Sequence, residues 1–145
     1  MKPQIIPNAF VAALSAALAL AATPGAKADP VVKITVAGVK ASQGFMMIAL
    51  HDEKGWSGAP AARMRVAVTG PSVSVTLPAP APGRYGVKLF HDVNGDGKMD
   101  TNIVGFPTEP FGFSNDAPIR LGPPSFADAA FDIGPAGAAQ VITLK

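Results

Sequence analysis

The residues best suited to chemistry form one short run, HDVNGDGKMD, from His91 to Asp100. Ca²⁺ takes about six to eight oxygen ligands, and an EF-hand-type loop supplies them from alternate positions, with a glycine at the sixth. Counted from Asp92, this spacing predicts one ligand set: Asp92, Asn94, Asp96, the main-chain carbonyl of Lys98, and Asp100. The run therefore predicts a calcium site, with a dissociation constant of about 10⁻⁴–10⁻³ M as in extracellular modules.

The loop departs from the EF-hand pattern at its end. Position twelve is Ile103, which cannot replace the bidentate glutamate, and no helix is predicted to follow. Glu109 or Asp116 could fold back to supply the missing carboxylate. The competing interpretation is a metal-free turn, because Asp, Asn and Gly also build tight turns through side-chain-to-backbone hydrogen bonds. Spacing alone leaves both interpretations open.

Two histidines, His51 and His91, each end a predicted strand and precede an aspartate. Such residues suggest a general base or, with Met46 and Met47, a transition-metal pair if their strands are neighbours. A zinc site usually needs three or four convergent ligands, so the simpler interpretation is that both histidines cap strand ends.

The chain has no cysteine and no Gly-x-Ser-x-Gly motif. We therefore predict no enzymatic activity; the alternative is metal-assisted hydrolysis with His91 as the base.

The N-terminal segment has the pattern of a secretory leader. Lys2 precedes the uncharged apolar run 9–22, and Ala26-Lys-Ala28 forms a small-residue exit, which predicts a signal peptide over 1–28 and a domain over 29–145. The product is expected in the periplasm or outside the cell, without a membrane span. Removing the leader leaves equal numbers of basic and acidic residues, so no nucleic-acid partner is expected.

Alternation of apolar and polar residues dominates the predicted domain and indicates strands. The expected fold is all-β, a single antiparallel sandwich of about seven short strands. Turn residues at Thr69-Gly-Pro71 predict that the runs 63–68 and 72–77 form a hairpin. Strands are expected in these segments: 32–36, 43–50, 63–68, 72–77, 84–91, 126–133 and 138–144. The segment 43–50 is apolar almost throughout, as expected of a central strand or one covered on both faces.

The segment Asp92–Pro124 does not alternate and predicts one long ordered loop. Loops of this length are uncommon in compact domains unless they are functional or held in place. Phe106, Phe111 and Phe113 either pin this excursion to the sandwich or line a binding surface. The candidates for such a surface, taken with the flanking polar residues, are His91, Glu109, Phe111, Phe113 and Asn115.

Four motifs in a fixed order resemble the bacterial family called domain of unknown function 2141. They are PGRYGV from Pro82, HDVNGDGKMDTN from His91, Gly105-x-Pro107-x-Glu109, and FGFSN from Phe111. The resemblance implies a small exported sandwich of the transthyretin-like or carboxypeptidase-regulatory-like kind, and it implies no activity.

The function expected from the sequence is a non-catalytic binding or accessory module of the cell envelope. Its partner would be an envelope protein, a peptide or a carbohydrate, and calcium would order the acidic loop. The alternatives are a metal-assisted hydrolase and a purely structural envelope protein.

Overall fold

The computed structural model describes residue 25 and residues 27–145. The leader predicted over 1–28 falls almost entirely outside these residues, and it stays a prediction. None of the helices in the described part of the chain has the length and apolar character needed to cross a membrane.

The structure consists of two β-sheets packed together, which confirms the all-β sandwich. One sheet has three strands in the order β4-β1-β8. The other has five, with β3-β2-β5-β6 side by side and β7 paired to the beginning of β5. The strands are β1 (Val31–Ala37), β2 (Phe45–His51), β3 (Ala62–Ala67), β4 (Val73–Pro78), β5 (Gly83–Asp92), β6 (Phe111–Phe113), β7 (Phe131–Ile133) and β8 (Ala138–Thr143). All pairs are antiparallel except β1 with β8, which run parallel.

The core lies between the two sheets and follows the alternation in the sequence. In each strand every second side chain points inward, because successive residues of a strand face opposite sides of the sheet. From β1 these are Val32, Ile34 and Val36, and they pack with the inward side chains of β2, which are Met46, Ile48 and Leu50. All six are almost completely buried. Burying apolar surface stabilises the fold by roughly 25 cal/mol per Å².

The predicted hairpin of residues 63–68 and 72–77 is wrong. Strand β3 pairs with β2 and strand β4 pairs with β1, so the chain crosses from one sheet to the other between them. Alternation identifies the apolar face of each strand, and both faces point into the same core, but it does not specify the hydrogen-bonded neighbour. Val68 is buried at this corner, which anchors the crossing.

The strand predicted over 126–133 is only partly correct. Residues Phe126–Ala129 form the short helix α1, and β7 begins at Phe131. Ser125 caps the helix. Its hydroxyl accepts a hydrogen bond from the main-chain amide of Asp128 at 3.2 Å and donates one to the Asp128 carboxylate at 2.8 Å. The spacing Ser-x-x-Asp is a sequence signature for a helix start.

The long excursion after β5 is present, with two local structures inside it. Residues Phe111–Phe113 form β6 at the edge of the five-stranded sheet, and Ser114–Asp116 form one 3₁₀ turn. Phe113 is buried and Phe111 half-buried, as a pinning role requires, whereas Phe106 remains 67% exposed. Phe106 therefore does not anchor the excursion to the core.

Candidate functional site

Asp92 is the centre of the acidic loop and is completely buried. Its Oδ1 atom accepts hydrogen bonds from the amides of Gly95 at 2.8 Å and Asp96 at 3.1 Å. Its Oδ2 atom accepts one from the Gly97 amide at 2.8 Å. Hydrogen bonds that involve a charged acceptor are stronger than neutral ones, so this carboxylate holds the loop in its curled form.

The remaining acidic-loop side chains form nested turns. Asn94 Oδ1 accepts from the Asp96 amide at 3.0 Å, and Asp96 Oδ1 accepts from the Lys98 amide at 2.8 Å. Asn94 Nδ2 also donates to Asp100 Oδ2 at 2.7 Å. This is the pattern of side-chain-to-backbone bonds that the metal-free interpretation expects.

Glu109 does fold back to the acidic loop, but onto main-chain amides. Its Oε1 atom accepts from the Val93 amide at 2.8 Å and its Oε2 atom from the Asp100 amide at 3.2 Å. Asp116 lies elsewhere, where its Oδ1 atom accepts from the Thr143 amide at 2.7 Å. Glu109 therefore closes the loop by joining its two ends.

Within residues 27–145 no group of three or more His, Cys, Asp or Glu side chains is arranged to hold a metal ion. The predicted ligands Asp92, Asn94, Asp96, Lys98 and Asp100 are thus neighbours in one loop, and the carboxylates among them do not converge on a point. A cation would need Asp96 and Asp100 to move towards Asp92. The calcium site stays a prediction.

The two histidines do not form a pair. His91 is opposite Met46 on β2 and faces the core, whereas His51 is opposite Gly86, five residues further along β2. His91 is fully buried, with Nε2 at 2.7 Å from the Gln43 carbonyl and no partner for Nδ1. His51 Nδ1 lies 2.8 Å from the Gly55 carbonyl. Burial lowers the pKa of His51, and the nearby Lys88 ammonium lowers it further.

A groove of about 600 Å³ lies on the outer face of the five-stranded sheet, opposite the core. We call it the outer groove. Its floor is formed by the outward side chains of four strands, namely Arg63 and Arg65 (β3), Met47 and Ala49 (β2), Lys88 and Phe90 (β5), and Phe111 and Phe113 (β6). Two parts of the excursion add Met99, Phe106 and Pro107, and Ile119, Arg120, Gly122 and Pro123.

The strand register arranges the floor of the outer groove in two rows. In one row, Ala49 lies opposite Arg63 on one side and Lys88 on the other, and Lys88 is followed by Phe113. Directly opposed residues of neighbouring strands have Cβ atoms about 4.5–5.5 Å apart. The small Ala49 side chain therefore lies between the Cβ atoms of two basic residues, Arg63 and Lys88.

The second row is more apolar. Met47 lies opposite Arg65 and Phe90, and Phe90 is followed by Phe111. Arg65 is engaged within the protein, because its guanidinium carbon lies 3.4 Å from the Phe45 ring centre and Nη2 donates to the Gly95 carbonyl at 3.4 Å. This row offers apolar surface beside the cationic row.

The outer groove is cationic. Arg63, Arg65, Lys88 and Arg120 line it, and no Asp or Glu is among the described residues of its lining. Lys88 is half-buried; its ammonium donates to the Trp56 carbonyl and lies 4.3 Å from the Trp56 ring centre. Burial lowers the pKa of Lys88 because it penalises the charged form.

A second apolar cluster borders the outer groove around Trp56. Trp56 packs with Phe113, Ala117 and Ala129, and its indole nitrogen donates to the Pro124 carbonyl at 3.1 Å. This contact fixes the end of the excursion against the sheet. The sequence does not identify the partners of Trp56, because they lie far away in the chain.

Of the five residues predicted for a binding surface, Phe111 and Phe113 line the outer groove. His91 and Glu109 are buried elsewhere. Asn115 stabilises the 3₁₀ turn. Its main-chain N–H donates to Gln140 Oε1 at 2.9 Å, and its side-chain Nδ2 donates to the Ala130 carbonyl at 2.9 Å. The one sequence signal for the groove is the unbroken apolar character of β2, which implies cover on both faces.

A family model described as "Uncharacterized protein conserved in bacteria (DUF2141)" matches residues 34–141. The chain therefore belongs to this family, as its ordered motifs predicted. The matched segment includes the whole lining of the outer groove and the acidic loop. No curated protein and no solved structure matches the chain.

Proposed function

We propose that this member of the DUF2141 family is an exported, non-catalytic binding module of the bacterial cell envelope, and that its ligand occupies the outer groove. One observation carries the proposal, namely the apolar, open groove of about 600 Å³ on a sheet face that points away from the core. Small-molecule sites are typically apolar clefts of about 300–1,000 Å³ with a few polar groups. The export part of the proposal rests on the leader pattern of residues 1–28.

The opposite side of the sandwich supports this interpretation by contrast. On the outer face of the three-stranded sheet, β1 and β4 carry exposed polar side chains, such as Lys33 and Thr35 on β1 and Ser74 and Thr76 on β4, whereas β8 presents Ala139 and Val141. Outward residues of a sandwich are normally polar. The apolar outer face of the five-stranded sheet is therefore a departure that needs a reason, and a bound apolar molecule supplies one.

The chemistry of the lining favours an apolar molecule over a carbohydrate. Sugar hydroxyls need hydrogen-bond acceptors as well as donors, whereas the described lining contains no Asp, Glu, Asn, Gln, Ser or Thr and offers the apolar Met47, Phe90 and Phe111. A peptide or protein partner would have to present an apolar group of similar size.

A non-catalytic role is supported by the position of the titratable groups. His91, the base expected for hydrolysis, is fully buried and does not line the outer groove. His51 does line it, but its Nδ1 atom is engaged with the Gly55 carbonyl at 2.8 Å. Metal-assisted hydrolysis therefore has less support than binding.

Titration with a neutral dye that fluoresces in apolar surroundings, such as Nile red, tests the proposal. The wild-type protein is expected to bind the dye saturably with one site. Ala49→Phe places a large ring in the centre of the floor and should weaken binding at least tenfold, because the ring occupies the space of the ligand.

The matched control is Ala139→Phe, which adds the same ring to β8 at an exposed position of the other sheet. It should bind the dye like the wild type, and circular dichroism should show that both variants are folded. Equal binding by Ala49→Phe and the wild type would contradict the proposal. No saturable binding by the wild type would favour the purely structural role.

A further inference from the structure

The cations of the molecule are unevenly placed in relation to the outer groove. The chain without its leader has as many acidic as basic residues, yet four basic side chains line the groove and, within the described chain, no acidic one does. A groove of this charge repels cations and attracts anions. The floor is at the same time apolar, so the ligand must combine both properties.

We infer that the outer groove takes a single-chain amphipathic anion, an unbranched apolar chain that ends in a carboxylate. This inference rests on the proposed function and adds the chemical class of its ligand. The carboxylate lies above Ala49, between the side chains of Arg63 and Lys88. The apolar chain lies along Met47, Phe90 and Phe111.

The position of the carboxylate follows from the strand register. Ala49 is directly opposite both Arg63 and Lys88. Neighbouring strands lie about 4.7–4.9 Å apart, so the two flanking strands are separated by about 10 Å. Two long basic side chains therefore start on either side of the small Ala49 side chain. An anion placed above Ala49 can pair with both of them.

Lys88 has donors to spare for such an anion. An ammonium group carries three donors, and its acceptor in the described structure is the neutral Trp56 carbonyl. A half-buried charge without a counter-charge is unfavourable, and the lowered pKa of Lys88 reflects this cost. A carboxylate within reach of this ammonium would supply the missing counter-charge.

Arg63 and Arg120 complete the cationic surface. Both are exposed, and neither guanidinium makes a hydrogen bond within residues 27–145, whereas Arg65 is already engaged with Phe45 and Gly95. A guanidinium can bind a carboxylate through two parallel hydrogen bonds. Arg63 is therefore the second partner of the anion, and Arg120 adds attraction from the excursion.

The size of the groove selects one apolar chain. About 600 Å³ is within the range of single small-molecule sites, and the apolar row of Met47, Phe90 and Phe111 takes one side chain from each of three neighbouring strands. Met47 and Met99 are flexible side chains that adapt to chains of different length. The site should therefore discriminate by charge more strongly than by chain length.

Displacement of the bound neutral dye tests the inference with three ligands of equal chain length, used below their aggregation concentrations. These are dodecanoate, neutral dodecanol, and cationic dodecyltrimethylammonium. For the wild type, dodecanoate should displace the dye at a concentration at least tenfold lower than dodecanol, and the cation should be the weakest.

Lys88→Met keeps the length and apolar character of the side chain and removes the charge. The advantage of dodecanoate over dodecanol should then be mostly lost. Lys33→Met is the matched control, because Lys33 is exposed on the other sheet, and it should leave the advantage unchanged. Arg63→Gln, at an exposed position, should reduce the advantage about threefold and serves if Lys88→Met does not fold.

The outcomes separate the two proposals. Equal displacement by dodecanoate and dodecanol in the wild type overturns the inference and leaves the outer groove as a neutral apolar site. A full advantage retained in both Lys88→Met and Arg63→Gln overturns the assigned position of the carboxylate. Failure of the wild type to bind the dye overturns the proposed function itself.

Discussion

At the scale of single residues, the acidic loop shows how one side chain can satisfy two different sequence patterns. Asp92 has the spacing of a first calcium ligand, and it is also a buried acceptor for three main-chain amides. Both roles require an aspartate followed by glycines, since Gly95 and Gly97 adopt positive φ angles of 77° and 81°. Glycine takes such angles at little cost. Sequence spacing cannot distinguish the two roles because their residue requirements coincide.

His51 gives a prediction at the same scale. Burial lowers its pKa in the folded protein below the ordinary value of 6.5, so the fold disfavours the protonated ring. The stability contributed by the neutral ring is present above pH 6.5 and is lost as the pH falls from 6.5 through the lowered pKa. For one proton, the free energy of unfolding cannot change by more than about 1.4 kcal/mol per pH unit.

Urea unfolding between pH 7.5 and 5.5 measures this effect. The wild type should lose stability more steeply than His51→Gln as the pH decreases, because the variant lacks the titrating ring. The other groups are common to both proteins, and their effects cancel in the difference. Parallel stability curves would contradict the prediction.

At the scale of elements, the acidic loop gives the test of the calcium prediction. If Asp92, Asp96 and Asp100 hold the ion, millimolar Ca²⁺ should raise the melting temperature over that in chelator. A ligand at ten times its dissociation constant stabilises a protein by about 1.4 kcal/mol, which shifts the melting temperature of a domain of roughly 60–100 residues by about 6–11 °C.

Asp96→Asn is the control for the calcium measurement, because it removes one charge from an exposed position and keeps an oxygen acceptor for the Lys98 amide. The calcium-dependent rise should be smaller in this variant. A wild-type melting temperature that is the same in Ca²⁺ and in chelator would rule out the cation and leave the loop as a self-contained turn.

Strand β5 joins the core to the Trp56 cluster, and Gly86 makes the contact on the outer side. A Cβ atom on Gly86 would lie 2.7 Å from Cζ3 of Trp56, and the indole is held in place by its hydrogen bond to Pro124. Gly86→Ala should therefore destabilise the protein by about 1–3 kcal/mol, as overpacked sites do. Gly70→Ala is the control, since nothing lies within 4 Å of its added Cβ.

Tryptophan fluorescence and urea unfolding measure the Gly86→Ala effect together. Trp56 is the one tryptophan of the chain, so a displaced indole should give a red-shifted emission in the variant. Unchanged emission and stability would contradict the prediction, because they would show that the added methyl group does not displace the indole.

The elements also show what the sequence predicts and where it fails. Alternation placed β1, β3 and β4 and oriented their apolar faces correctly, because the period of two is a local property. The apolar run 43–50 and the run 84–91 placed β2 and β5. The pairing of β3 with β2 was not predictable in this way, since Met64 and Val66 face the same core whichever neighbour the strand has. The spacing Ser125-x-x-Asp128 is a local signal for the helix start, and the strand prediction over 126–133 missed it.

At the scale of the whole molecule, the sandwich has one polar outer face and one apolar, cationic outer face. The family motifs and the strand pattern predicted the sandwich and the long excursion. They did not predict the outer groove, because its lining comes from Met47, Lys88 and Arg120, which are far apart in the chain and meet only through strand register. A groove assembled from distant residues leaves no compact motif.

The parallel pairing of β1 with β8 constrains the order in which the molecule forms. The first strand is the middle of its sheet, and one of its two neighbours is the last strand of the chain. That sheet cannot close until residues 138–143 are available. If the chain leaves a secretion channel from its N-terminus, β1 can pair first with β4, and its other edge stays unpaired until residues 138–143 have emerged.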